Sequence, residues 1–166
     1  DALPISAQAK LEAEFKKRET ELNDTGNKLR TALEKLIVSR LCKDSVRLLN
    51  SGLSELLNKA EKLARKADFD GCHILNIQFH ERLAELAGNE TLLNTYQRLV
   101  NELSLFRQQA HAFSPNKASL QQSVQDHREL LGALLKGDQR SALRVLKRHV
   151  DDSRQRLKLV LTDSSE

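Results

Sequence analysis

The sequence is poor in the residues that break or cross-link a chain. Proline occurs twice, at Pro4 and Pro115, and glycine six times in 166 residues. That excludes a collagen-like or low-complexity chain. The two cysteines, Cys42 and Cys72, form neither a CxxC pair nor a disulfide framework. They point to a reducing compartment and to small buried hydrophobes. No apolar run approaches the roughly 20 residues needed to span a bilayer, so no membrane partner is expected. The opening DALPISAQAK lacks a basic n-region and an apolar h-region, so no signal peptide is read there and a cytoplasmic location is expected. Charge of neither sign dominates: 27 Lys and Arg face 23 Asp and Glu, a net +4. The charges are mixed along the chain and do not by themselves argue for nucleic acid. Alternation is missing too. No segment shows four clean apolar/polar alternations between turn residues, so no strand is predicted. There is no internal repeat.

What is abundant is Leu, Ala, Lys, Glu, Gln and Arg, all good helix formers. The chain reads as all-α, an antiparallel bundle of about six or seven helices. A charged helix covers 7–23 and is expected to break at Asn23, Asp24, Thr25, Gly26 and Asn27. A second runs from Lys28 to Leu49, with Leu29, Leu33, Leu36, Ile37 and Leu41 on one side, and ends at Asn50, Ser51 and Gly52. A third reaches Ala67. Asp68 or Asp70 caps a fourth, which ends at Ala87 with Gly88 as a left-handed residue. A fifth covers Glu90 to Ala112, with Ser114, Pro115 and Asn116 closing it. A sixth covers Lys117 to Lys136 and stops at Gly137. Asp138 caps a seventh that reaches Leu161.

Five histidines are present: His73, His80, His111, His127 and His149. On the sixth helix Leu120, Val124, His127, Leu131 and Leu134 share a face. On the seventh, Ala142, Leu146, His149, Ser153 and Leu157 do so. On the fourth, Asn76 and His80 are one turn apart and project side by side. Three helices each aim one imidazole inward. His73 could flank the same region, and His111 sits near a helix end, where it is expected to be solvated. Two readings stay open on these residues alone. They are separate core histidines, each hydrogen-bonded to a neighbour, or they converge on a transition metal, whose commonest protein ligand is imidazole.

The ordered elements Asn76-Ile77-Gln78-Phe79-His80, Gly88-Asn89, Asp126-His127, Gly137-Asp138 and His149, with LRTALEKL over Leu29–Leu36, carry a resemblance. Together they resemble the FCD domain, the C-terminal effector-binding domain of GntR-family bacterial transcription regulators of the FadR type. The likeness covers about Leu29 to Leu161. It implies a divalent metal, zinc, nickel or manganese, held by Asn76, His80, His127 and His149. Asn76 departs from the family's usual Asp. A neutral amide is a weaker donor and leaves the site one unit more positive, which favours an anion. The resemblance further implies a small carboxylate effector on the metal, gripped by Arg30 and reached by Ser123. The alternatives are a surface Arg30 paired with Glu34 and a back-bonded helical Ser123. Asp126 adjoins His127 but points elsewhere, to the surface or to a supporting position. A homodimer is implied. DNA would be contacted only through a winged helix-turn-helix domain, for which the residues before the match leave no room.

The expected organisation is therefore a charged helical segment over 1–27, read as a truncated or non-native end, and an FCD-like domain over 28–162. The stretch AQAKLEAEFKKRETEL faintly resembles a coiled-coil arm of Skp-type chaperones. The basic residues Arg140, Arg144, Lys147, Arg148, Arg154, Arg156 and Lys158 on the last helix read as a solvated face rather than a nucleic-acid surface. The sensor is expected not to be an enzyme. Two other classes compete with it. One is a helical metalloenzyme, though the paired Glu-x-x-His motifs of di-iron bundles are lacking. The other is a metal-free helical interaction module.

Overall fold

The computed structural model describes the backbone of residues 5–113 and 116–163 and the side chains of residues 5–104 and 116–155. His111, Arg156, Leu157 and Lys158 lie outside the described side chains, and Ser114 and Pro115 outside the described residues. Six α-helices make the fold: α1 (Ile5–Lys43), α2 (Leu53–Arg65), α3 (Phe69–Leu86), α4 (Glu90–Phe113), α5 (Lys117–Leu135) and α6 (Gln139–Asp163). No strand occurs among the described residues. None of the described helices is long and apolar enough to cross a membrane.

The punctuation between helices follows local chemistry. Asp68 caps α3 by accepting the Gly71 N–H at 2.8 Å. Asn116 caps α5 by accepting from Ala118 and Ser119. Asp138 accepts from the Ser141 N–H at 3.0 Å at the start of α6. Each satisfies amide donors that a helix N-terminus leaves unpaired. Gly88 and Gly137 follow α3 and α5 with φ of 65° and 67°, the left-handed geometry that favours glycine. Short loops at 66–68, 87–89 and 136–138 turn each helix back on its predecessor. α2 packs on α3 and α5, α5 on α6, and α1 on α6, α4 and α3.

α1 departs from the sequence expectation. It is one 39-residue helix, uninterrupted through Asn23–Asn27. Asn23, Gly26 and Asn27 are buried, because here α1 presses on α4. A Cβ on Gly26 would lie 2.8 Å from Leu103 Cδ2. The Asn27 amide donates to Asn23 O at 2.8 Å and Oδ1 at 3.1 Å. Side chains that compete with a helix in solution instead brace one. The expected inward stripe is also corrected. Leu29 and Leu36 are 54% and 56% exposed, and the inward face carries Arg30, Glu34, Ile37, Val38 and Leu41. The second helix does not reach Leu49: α1 stops at Lys43, and a short 3-10 turn over Ser45–Leu48 follows, burying Leu48. Cys42 is only half-buried, whereas Cys72 is buried.

The main core gathers Leu41, Leu57, Phe79, Tyr96, Leu134 and Leu146. Each such fully buried side chain contributes about 1.5–3 kcal/mol of transfer free energy. A smaller cluster, Ala60, Ala64, Cys72, Leu120 and Val124, joins α2, α3 and α5. Along α5, His127 falls between Val124 of the smaller cluster and Leu130 of the larger.

Candidate metal centre

α3, α5 and α6 each bring one histidine to the same point. His80, His127 and His149 are all buried. His127 Nε2 lies 3.1 Å from His80 Nε2 and 3.3 Å from His149 Nε2. One ligating nitrogen from each falls within 4.8 Å of the others, the one such cluster among the described residues. Phe79, fully buried beside His80, stacks on the His127 ring at 4.5 Å and meets the His80 ring edge-on at 5.4 Å. The hydrophobic pattern of each helix explains the convergence. Each histidine holds a buried position on its helix, and the three buried faces meet there.

Two carboxylates set the outer rings. His80 Nδ1 is 3.3 Å from Glu34 Oε1. That oxygen also accepts from Arg30 Nε at 2.7 Å and from the Tyr96 hydroxyl at 2.8 Å. Arg30, Glu34 and Tyr96 are all buried. On the opposite side His149 Nδ1 is 3.6 Å from Asp126 Oδ2, while Asp126 Oδ1 accepts from Arg148 at 2.6 Å and Gln122 at 3.0 Å. Burial alone would raise the Asp126 carboxyl. The His149 ring, Gln122 and Arg148 outweigh it and hold Asp126 at about 2. Carboxylates facing Nδ1 favour the tautomer with the proton there, which leaves the Nε2 lone pair inward.

His127 Nε2 sits between two such nitrogens and has one proton at most to offer. Internal hydrogen bonding therefore cannot satisfy all three. Protonation is no remedy either. Burial, then Arg30 and the other two rings, pushes His80 well below its ordinary value. Burial, His149 and Arg30 do the same to His127. Neutral imidazoles with converging lone pairs form a donor set suited to a divalent transition metal. Two nitrogens on one metal at about 2.0–2.1 Å stand roughly 2.8–3.4 Å apart in octahedral or tetrahedral geometry. The observed 3.1 and 3.3 Å fall in that interval.

Asn76, one turn before His80, lines a small cavity of about 50 Å³ with His73, Ser123, His127, His149 and Ser153. Its Oδ1 is buried without a hydrogen-bond partner. Such an orphan acceptor costs free energy unless something fills it. Arg30 does not line this cavity. It is neither exposed nor free, since it is paired with Glu34 inside the bundle. The structure thus brings together His80, His127 and His149, places Asn76 and Ser123 on an adjoining wall, and sets Arg30 behind His80.

Tyr96 went unread in the sequence, and so did the burial of Glu34. Glu34 had a signal, standing one turn from Arg30 in the LRTALEKL segment, but it read only as a surface partner. Asp126 is fully buried rather than at the surface, in the supporting position against His149.

Residues 27–152 match the family model of the FCD domain. No curated protein matches the chain.

Proposed function

The chain belongs to the FCD family, the C-terminal effector-binding domains of GntR-family regulators, and on that footing we propose that it senses a small organic acid through a bound divalent metal. His80, His127 and His149 supply the three imidazoles, and Asn76 adds a neutral oxygen. When bound, the metal offers a Lewis-acidic position for a carboxylate. The residues around it do the rest. Ser123 presents a hydroxyl to the cavity shared with Asn76, and Arg30 contributes buried positive charge behind His80. With a neutral Asn76 instead of an anionic ligand, the site keeps more of the metal's charge for the effector. The domain proper spans 28–162, acts as a homodimer in the cytoplasm, and performs no turnover. In an intact regulator, DNA is reached through a separate winged helix-turn-helix domain. Effector binding biases the arrangement of the paired DNA-binding domains only through different affinities for the two arrangements.

The observation that carries this reading is His127 Nε2 lying 3.1 and 3.3 Å from the Nε2 atoms of His80 and His149. Metal analysis of the purified chain, dialysed against zinc, nickel or manganese, tests it. About one ion per chain is expected, and His127→Ala should lose it. A small dicarboxylate titrated into the loaded protein should then release heat, and much less into the metal-free protein. A chain that takes up no ion under any of the three would overturn the metal reading and return the histidines to plain core residues.

A further inference from the structure

α1 carries a row of large apolar side chains that the bundle does not use. Leu11, Phe15, Leu22, Leu29 and Leu36 are 49–69% exposed. At about 100° per residue they fall within an arc of about 60°, roughly 120° around the helix from the inward face of Asn27, Arg30, Glu34 and Leu41. Four of them, Phe15, Leu22, Leu29 and Leu36, recur at seven-residue spacing, the repeat that keeps a seam facing a second helix. Residues 5–22 include no buried residue, so among the described residues nothing covers the apolar side of this half of α1. Scattered apolar residues are ordinary on a surface; a continuous row on one helix is not.

The flanking charges say what covers it. One neighbouring row, also at seven-residue spacing, reads Glu14, Glu21, Lys28, Lys35, all exposed. It is acidic in the first half and basic in the second. The charges reverse between Glu21 and Lys28, and the apolar row has its midpoint between Leu22 and Leu29. Both patterns therefore share one centre near Thr25. A helix with that pattern complements itself only when turned end for end. In a parallel pair, acid would face acid and base would face base.

We propose that this face is the seam of an antiparallel pairing with a second copy of the chain, through a two-fold axis near Thr25. The uncovered half of each α1 then lies along the bundle-borne half of the other. There Leu36 and Leu33 wall a groove of about 450 Å³ with Leu92 and Thr95 of α4. Glu14 holds Arg18 within its own helix at 2.8 Å, and the Glu14 carboxylate remains exposed enough to meet a partner's Lys35.

Sedimentation equilibrium across a wide concentration range tests the seam, with circular dichroism confirming that each variant folds. The chain should dimerise. Leu22→Glu, at an exposed position, should weaken association at least about tenfold. Lys28→Glu with Lys35→Glu should weaken it by about tenfold as well. Adding Glu14→Lys and Glu21→Lys to that pair should restore it. A chain that stays monomeric overturns the proposal. So does a dimer indifferent to Leu22→Glu, or one tightened by Lys28→Glu with Lys35→Glu, which would mean parallel pairing. Metal uptake, read on the same samples, should be unchanged in every variant, so the failure of the seam and the failure of the metal site are told apart.

Discussion

At Asn76 one atom separates a neutral donor from an anionic one, and the surroundings set opposite signs on the exchange. Its Oδ1 is buried and unpartnered, in a cavity shared with His127, which burial holds well below its ordinary value. Asn76→Asp would place a carboxylate among buried groups with no counter-charge when no metal is present. The metal-free domain should lose about 1–3 kcal/mol. With metal bound, the same carboxylate gains an ion partner, and metal affinity should rise roughly tenfold or more. Urea melts with and without zinc measure both signs in one series. A variant that shifts both states alike would remove Asn76 from the site. Glu34 is the second decisive residue. Its carboxylate neutralises Arg30 and turns His80. Glu34→Gln leaves a buried guanidinium unpaired, a loss of about 3–5 kcal/mol. Because it also releases the His80 tautomer, metal affinity should fall about 10–100-fold. Tyr96→Phe deletes one hydrogen bond to the same oxygen and no charge. It should cost about 1 kcal/mol, which separates the charge effect from packing.

At the scale of the element, legibility tracked how closely local chemistry and tertiary role agreed. α3, α5 and α6 were readable because capping residues, left-handed glycines and an apolar stripe all gave the same boundaries. The stripes containing His127 and His149 also gave their direction. α1 defeated the same procedure. Its inward face mixes Asn27, Arg30 and Glu34 with Ile37, Val38 and Leu41, while a second apolar row points away from the bundle. Asn and Gly at 23–27 favour a break by propensity, and packing against Leu103 overrides it. The buried network of Arg30, Glu34 and Tyr96 was therefore invisible, because it requires knowing that α1 and α4 meet. The loop glycines, by contrast, make a local prediction. Gly137 has φ of 67°, and a Cβ there would lie 3.2 Å from the Cys42 carbonyl oxygen. Gly137→Ala should destabilise the domain by about 1–2 kcal/mol, through the left-handed backbone alone if Cys42 yields. Thermal melting of the metal-free protein checks it, and an unchanged midpoint would count against the loop geometry.

For the whole molecule two of the clustered histidines, His80 and His127, make stability a function of pH, and the sign follows from the direction of their shifts. Burial holds His80 and His127 well below 6.5 in the folded domain, whereas the unfolded chain titrates near that value. Below about 6.5 the unfolded state binds protons that the folded state refuses, so stability falls as pH drops, by up to about 1.4 kcal/mol per pH unit for each histidine. Above about 7 these groups contribute no slope. The Asp126 carboxyl, held at about 2, acts in a separate window. Its stabilisation is present above its unfolded value near 4 and is lost only as pH falls toward 2. Metal changes the curve without changing the sign. An ion at a hundred times its dissociation constant adds about 2.7 kcal/mol. That gain should shrink on acidification, because protons compete for the same Nε2 atoms. Denaturant melts between pH 5 and 8, with and without metal, should show two curves that converge toward the acid end. In a domain with His80→Leu and His127→Leu together, the metal gain should vanish and the acid slope should fall to the part that His73, also lowered by burial, contributes; an undiminished slope would place the titrating groups elsewhere in the bundle.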